Sequence, residues 1–224
     1  MVKLDHIRWP SHVQVAIDAP DTLSTPSPPE QEALYVNRGN EPTPEARSSP
    51  GQCVYFNDPG EDTYFIRSRL KGRRSLPKQI KPPDDSLHFE SRYESANLLR
   101  AMRVADGEYE LELRTDLYTD RHTQWFYFQI KNMKPNKTYR FTIINLSKPS
   151  SLYNLGLKPL FYSKRVAEEQ HKGWYRTGDN IRYYRRAQPS PSGRKQYCLT
   201  FTMTFPYEND EVYLAHDYPY TYSG

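Results

Sequence analysis

The chain has 224 residues, a formal net charge of +4, 36% hydrophobic and 14% aromatic residues, and 19 tyrosines. That length allows one good-sized domain or two small ones. The mild charge tolerates an acidic partner without demanding one, and argues against a nucleic-acid binder, which concentrates lysine and arginine along one element. No stretch approaches the roughly 18 apolar residues that span a membrane, and Met1–Trp9 lacks the apolar run of a secretory signal.

Two distant cysteines, Cys53 and Cys198, do not make a disulfide framework, so a reduced, cytoplasmic setting is the simpler reading. The sequons at Asn136 and Asn145 are then chance matches. Tyrosine buries a large ring, keeps a polar handle and favours strands, so the composition points to an aromatic β core.

Residues 1–50 form the first segment. Val13, Val15 and Ile17 alternate with polar neighbours, but from Asp18 to Pro50 the proline-, serine- and glutamate-rich sequence buries too little apolar surface to offset the entropy of ordering, so disorder is expected. Residues 51–85 read as a leader or linker. They carry apolar clusters at Val54-Tyr55-Phe56 and Tyr64-Phe65-Ile66, then the basic stretch Arg67–Lys81, then Pro82-Pro83-Asp84-Asp85.

From residue 86 to 224 the period is two. Tyr109, Leu111 and Leu113 alternate with Glu108, Glu110 and Glu112, the pattern of a half-buried strand with a solvated outer face. Gln124–Ile130 is aromatic on both faces and reads as a central strand. The turn signal Lys134-Pro135-Asn136-Lys137 then leads into Tyr139, Phe141 and Ile143. Pro159–Ser163 and Ile181–Arg186 are shorter candidates. Tyr197, Leu199, Phe201, Met203 and Phe205 make the clearest strand, followed by a last one through Val212 and Leu214 towards Tyr218. Tyr93–Val104 fits a helix or a strand–bend–strand, and the second is preferred. About eight or nine short strands with turn chemistry between them imply an all-β sandwich or open barrel.

Catalytic chemistry finds little support. None of the six histidines belongs to a His-Glu-x-x-His arrangement, and His88-Phe89-Glu90 lacks the Pro-Cys-x-x-Cys of a deaminase. Glu168 and His171 share a helical face without closing a tetrahedral site. No Gly-x-Ser-x-Gly elbow occurs, and Gly173–Gly178 continues with Asp179-Asn180 where a phosphate loop needs Lys-Ser/Thr. Two features remain. Arg182, Arg185 and Arg186 form a dense basic cluster, either a solvated strand face or an acidic-peptide site. Tyr218, Tyr220 and Tyr222 recur around Pro219, either as edge tyrosines over the core or as a contact patch.

The run Phe89-Glu-Ser-Arg-Tyr-Glu-Ser-Ala-Asn-Leu98 resembles the Phe-Glu-Ser-Arg-Phe-Glu-Ser-Gly-Asn-Leu element of cytosolic carboxypeptidases. Further blocks match that family in order: Arg114–Tyr118, His122–Phe128, Tyr139–Ile143, Lys158–Ser163, Tyr197–Thr200, Phe205–Tyr207 and His216–Tyr222, with wording most like types two and three. The resemblance covers about Pro83 to Ser223. It implies an antiparallel β-sandwich N-domain, over 86–224, that packs on a zinc carboxypeptidase domain removing glutamates from polyglutamylated tubulin and other acidic tails.

The His-Pro-Gly-Glu-Ser motif that opens the family's zinc site is absent, so the resemblance places Zn2+ in the catalytic domain and makes this chain non-catalytic, without a cofactor of its own. It further implies a partner domain in cis near Tyr218, Tyr220 and Tyr222. Acidic glutamylated tails would meet Arg182, Arg185 and Arg186, in the cytoplasm, with the microtubule, centriole or cilium as their setting. Ala96 stands where the family has glycine, which puts the local bend in question. Rival readings are a free-standing module that binds acidic tails without cutting them, and a carbohydrate-binding sandwich resting on aromatic content alone.

Overall fold

The computed structural model describes residues 33–41, 51–57, 80–116, 119, 122–187 and 193–219. Eleven strands are present among them: β1 (Gln52–Phe56), β2 (His88–Glu90), β3 (Leu98–Ala105), β4 (Glu108–Leu113), β5 (Tyr127–Lys131), β6 (Thr138–Leu146), β7 (Leu160–Ser163), β8 (Tyr175–Arg176), β9 (Asp179–Arg185), β10 (Tyr197–Thr204) and β11 (Val212–Ala215). They form a six-stranded sheet in the order β1-β3-β4-β6-β10-β9 and a five-stranded sheet in the order β2-β5-β11-β7-β8. The pairings are antiparallel except β4 with β6, so the all-β sandwich expected above is what forms. The strand tally exceeds eight or nine because β2 and β8 are only three and two residues long, too short for a period to show, and because β1 joins the sheet.

The alternation of β4 is realised as expected. Tyr109, Leu111 and Leu113 are buried, while Glu108 and Glu112 face outward to ion pairs with Arg140 at 3.5 Å and Arg100 at 2.5 Å. Tyr93–Val104 resolves as a turn followed by β3. The one α-helix among the described residues, α1 (Lys164–Gln170), is capped by the Ser163 hydroxyl, which accepts from the Val166 amide at 3.0 Å. Strand β10 departs from simple alternation: Cys198, Thr200 and Thr202 face away from the core yet are buried. Tyr184 of β9 stands opposite Cys198 with its hydroxyl 3.1 Å from that of Thr200, while the Thr202 hydroxyl donates to the Asp179 carbonyl at 3.1 Å and accepts from the Asn180 side chain at 3.0 Å. Burial pushes the Cys198 thiol up to about 11, which leaves it protonated and inert.

Aromatic rings interlock between the sheets. Phe141 of β6 meets Tyr109 at 6.1 Å, Phe201 at 5.5 Å and Phe205 at 6.4 Å, and Phe89 of β2 meets Tyr109 edge-on at 5.4 Å. The core tyrosines keep their hydroxyls at its rim and tie down connections there. Tyr109 accepts from the Leu87 amide at 2.8 Å, Tyr139 from Lys134 at 2.9 Å and Tyr55 from Ser91 at 3.0 Å, while Tyr183 donates to the Lys148 carbonyl.

The segment expected to be a leader supplies β1, which pairs with β3 (Gln52 opposite Arg103) and buries Val54 and Tyr55. Residues 33–41, inside the stretch expected to be disordered, lie along the sandwich. The Tyr35 amide donates to the Gly156 carbonyl at 2.9 Å, its hydroxyl donates to Glu41 at 2.8 Å, and Arg182 donates to the Glu41 carbonyl at 2.9 Å. Gly156 ends the 3₁₀ turn Leu152–Leu155 with φ 98, and a Cβ there would lie 2.7 Å from the Tyr35 oxygen and 2.9 Å from the Leu34 Cβ. Gly156→Ala should therefore cost about 1–3 kcal/mol through left-handed strain and lift residues 33–41 off the sandwich. Trypsin cleavage after the exposed Arg38 should accelerate while the sandwich stays intact; an unchanged rate would mean the segment is not held there in solution.

Candidate functional site

Two surfaces of the sandwich differ in chemistry. The outer face of the six-stranded sheet carries threonines and charges that pair with one another: Thr142 with Thr200 at 3.1 Å, Thr138 with Thr204 at 3.2 Å, and the two arginine–glutamate pairs of β4. At its edge, β9 divides the sequence-predicted basic cluster. Ile181, Tyr183 and Arg185 share one side of the strand and Arg182 and Tyr184 the other. Arg186 follows the end of the strand on the side of Tyr184, its amide donating to the Gln196 carbonyl at 2.9 Å. Arg182 has its guanidinium 6.0 Å from the Tyr184 ring, and Arg186 donates to the Gln196 side chain at 2.9 Å; Arg185 is exposed. Adjacent numbers in a strand thus separate Arg185 from the other two.

The outer face of the five-stranded sheet is aromatic over much of its area, and beyond the rings Gln129 donates to the Tyr213 hydroxyl at 2.6 Å and Lys131 pairs with Glu211 at 2.5 Å. Tyr127 on β5, Tyr213 on β11 and Tyr162 on β7 point outward from three neighbouring strands, with Tyr213 registered opposite Tyr162. Tyr93, Trp125 and Trp174 join them from flanking loops. The rings form one connected layer: Tyr93–Tyr127 at 5.1 Å, Tyr127–Trp174 at 6.0 Å, Trp174–Tyr162 at 5.3 Å, Tyr162–Tyr213 at 6.0 Å and Tyr213–Tyr93 at 6.1 Å. Trp125 attaches at 6.4 Å from Tyr127. All six are half-buried. The layer desolvates its own members: burial, then the neighbouring phenols of Tyr213 and Tyr162, push the Tyr127 hydroxyl up to about 12. Beneath it Ala215 and Leu160, which face outward, are fully buried.

The family-like element Phe89–Leu98 fixes the border of this layer. The Glu90 carboxylate accepts from the Ser91 and Arg92 amides at 2.9 and 2.8 Å, and the Ser91 hydroxyl donates to the Leu98 carbonyl at 2.7 Å. Ser95 takes the left-handed conformation (φ 63) and offers its carbonyl to the Trp125 indole N–H at 2.8 Å. The strained residue is thus Ser95, not Ala96, so alanine in place of the family's glycine meets no left-handed penalty. Asn97 clamps β5, its amide donating to the Trp125 carbonyl at 2.7 Å and its oxygen accepting from the Tyr127 amide at 3.1 Å. A shallow depression of about 410 Å³, lined by Asn57, Ser91, Arg92, Tyr93, Glu94 and Arg114, opens beside Tyr93. The Tyr93 hydroxyl has no hydrogen-bond partner among the described residues.

No group of three or more His, Cys, Asp or Glu side chains able to hold a metal occurs among the described residues, so zinc does not fit them. No described helix is long and apolar enough to cross a membrane. Of the tyrosines singled out near the end of the chain, Tyr218 is 49% exposed, and Tyr220 and Tyr222 lie outside the described residues. Sequence reasoning missed the aromatic layer. Its signal was tyrosine at outward positions, such as Tyr213 between Val212 and Leu214, where other strands carry threonine or glutamate.

Comparison with known proteins settles the family. The profile described as the cytosolic carboxypeptidase N-terminal domain matches residues 89–216, more than half of the chain. The chain belongs to this family. It is 46% identical to human (Homo sapiens) cytosolic carboxypeptidase 2 over 96% of its length and 25% of that protein's. It is also 46% identical to the Danio rerio protein of the same name, over 97% of this chain and 31% of the other. Identity is 42% to Mus musculus cytosolic carboxypeptidase 3, over 99% of this chain and 21% of the other. The chain thus spans between a fifth and a third of the length of these curated relatives. Among solved structures, a metallo-carboxypeptidase from Pseudomonas aeruginosa superposes with a TM-score of 0.38 at 22% identity, covering 60% of this chain and 30% of that one. One from Burkholderia cenocepacia gives 0.40 at 20% identity, covering 61% and 30%.

After β11 this N-terminal domain continues through His216, whose amide donates to the Phe126 carbonyl at 2.9 Å and whose Nδ1 lies 3.1 Å from the buried Tyr153 hydroxyl. Burial pushes the His216 pKa down; Asp217 opposes this, while Arg176 and Lys148 add to it. The fold therefore favours neutral His216, whereas the unfolded chain takes up its proton at about 6.5. The stabilisation is complete above that value and is lost as pH falls below it towards the depressed folded value. The urea midpoint should decline as pH falls below about 6.5, and His216→Gln should flatten the decline. An identical slope in the variant would place the titration elsewhere.

Proposed function

We propose that this chain is the non-catalytic N-terminal domain of a zinc carboxypeptidase that removes glutamates from polyglutamylated proteins such as tubulin. On this reading it packs on the catalytic domain in cis and helps to recruit the acidic tail. The supporting observation is the match of an N-terminal carboxypeptidase domain across the sandwich, in a chain aligning with about a quarter of human cytosolic carboxypeptidase 2. Zinc would sit in the catalytic part, where it would activate water and polarise the scissile carbonyl. The setting would be cytoplasmic, at the microtubule, centriole or cilium.

For the tail, Arg182 and Arg186 flank Tyr184 on one side of an edge strand, with Arg185 on the other. A flexible glutamate-rich peptide passing this edge would meet three guanidiniums and one ring. Each exposed contact contributes little, so the effect would be cumulative and salt-sensitive. Tyr218, with Tyr220 and Tyr222, would lie at the junction with the catalytic domain.

Replacing Arg182, Arg185 and Arg186 together by glutamate should weaken binding of a polyglutamate peptide severalfold at low salt, with the difference vanishing as salt rises. Arg182 also holds the Glu41 carbonyl, so an Arg185→Glu/Arg186→Glu pair that leaves this contact intact should show most of the loss. Equal affinity of wild type and both variants at low salt would end the tail-recruitment reading.

A further inference from the structure

The aromatic outer face of the five-stranded sheet is at odds with the rest of the surface. An exposed sheet face in a sandwich is normally polar, with apolar residues reserved for the inner side. The six-stranded sheet obeys this, as its outer face carries threonine pairs and the Arg100–Glu112 and Arg140–Glu108 ion pairs. The five-stranded sheet instead presents Tyr93, Trp125, Tyr127, Tyr162, Trp174 and Tyr213 as one half-buried layer. Tyrosine and tryptophan are the residues enriched at the centres of protein interfaces, where a flat aromatic body is desolvated and a polar tip finds a partner. The Tyr93 ring borders the layer, and the shallow depression of about 410 Å³ opens beside it.

We propose that this aromatic face, centred on Tyr127, Tyr213 and Trp174, is the surface on which the carboxypeptidase catalytic domain of the same polypeptide docks. The inference rests on the reading of the chain as an N-terminal domain packed in cis and adds the face to it. Three observations select that occupant. Aligned relatives are three to five times as long as this chain, so most of each relative lies outside the part that matches. Strand β11, the last of the sandwich among the described residues, runs through the middle of the face with β5 and β7 on either side. The chain leaving it passes the Tyr127–Trp125 end, where the His216 amide bonds to Phe126 and Asp217 pairs with Arg176 at 2.9 Å. A domain tethered at that point meets the face at an effective concentration in the millimolar range, on the order of what short linkers supply, well above that of a second copy.

Footprinting decides it. This chain would be compared with a full-length chimera in which it replaces the aligned quarter of human cytosolic carboxypeptidase 2, both exposed to hydroxyl radicals and read residue by residue by mass spectrometry. Oxidation of Trp125 and Trp174 should fall severalfold in the chimera, while that of Tyr184, on the opposite sheet, should not change. Introducing Tyr162→Glu and Trp174→Glu together into the chimera should restore oxidation at Trp125. Should that variant not fold, the wild-type comparison stands alone as the test.

Equal oxidation of both tryptophans in the two proteins would overturn the assignment. So would protection in the isolated chain that rises with its concentration, because the occupant would then be a second copy. Arg185→Glu/Arg186→Glu in the chimera should leave the protection intact. Loss of tail binding and loss of docking are therefore read separately.

Discussion

A phenol buried between two sheets brings a hydroxyl that must find a partner, and the architecture of this domain follows from where those partners are. Tyr55, Tyr109, Tyr139, Tyr153 and Tyr183 all place their rings in the core, and each hydroxyl is bonded at the rim. An unpaired one would cost about 1–3 kcal/mol, so the rings fix the connections as firmly as the strands do. Tyr55 and Tyr109 lie in the six-stranded sheet and bind residues flanking β2 of the other sheet, which makes them ties between the layers. A leucine core of the same area would pack the sheets without setting the position of residues 87–91.

That device explains why the family-like element around Phe89–Leu98 carries so many polar residues. Ser91 serves Tyr55 and the Leu98 carbonyl at once, Asn97 bonds both the Trp125 carbonyl and the Tyr127 amide, and Ser95 adopts the left-handed conformation that presents its carbonyl to Trp125. Each holds backbone or an indole in place. The element positions Trp125 and Tyr127 at one end of the aromatic layer, so a scaffold role and a surface role meet in the same ten residues.

Much of the fold was legible because half-buried strands announce themselves by alternation. Tyr109-Leu111-Leu113 against three glutamates, and Leu199-Phe201-Met203 against threonines, gave strand, face and core together. Legibility failed where the period was too short or the environment non-local. Strand β8 has two residues, and β1 is marked as a strand only by its pairing with β3, across a basic stretch that reads as a linker. Residues 33–41 look too polar to order, yet their backbone finds Gly156 and Arg182, partners more than a hundred residues away. The arginine cluster was visible as a run but not as a geometry, because period two sends Arg185 to the opposite side from Arg182 and Arg186. The aromatic layer was hidden for a related reason: Tyr93, Tyr127, Tyr162, Trp174 and Tyr213 are far apart in sequence and adjoin only once β5, β11 and β7 pair.

The two surfaces also stand apart. Arg182 and Arg186 lie on the outer side of one sheet and the aromatic layer on the outer side of the other, so the core, about 10 Å thick between sheets, separates them. At physiological ionic strength the screening length is about 8 Å. A domain covering the aromatic layer would therefore lie beyond the reach of these two guanidiniums. Charge on one face and aromatic surface on the other thus act independently of each other. Arg185, turned to the other side of the same edge strand, is the arginine of the three that does not share the surface of Arg182 and Arg186.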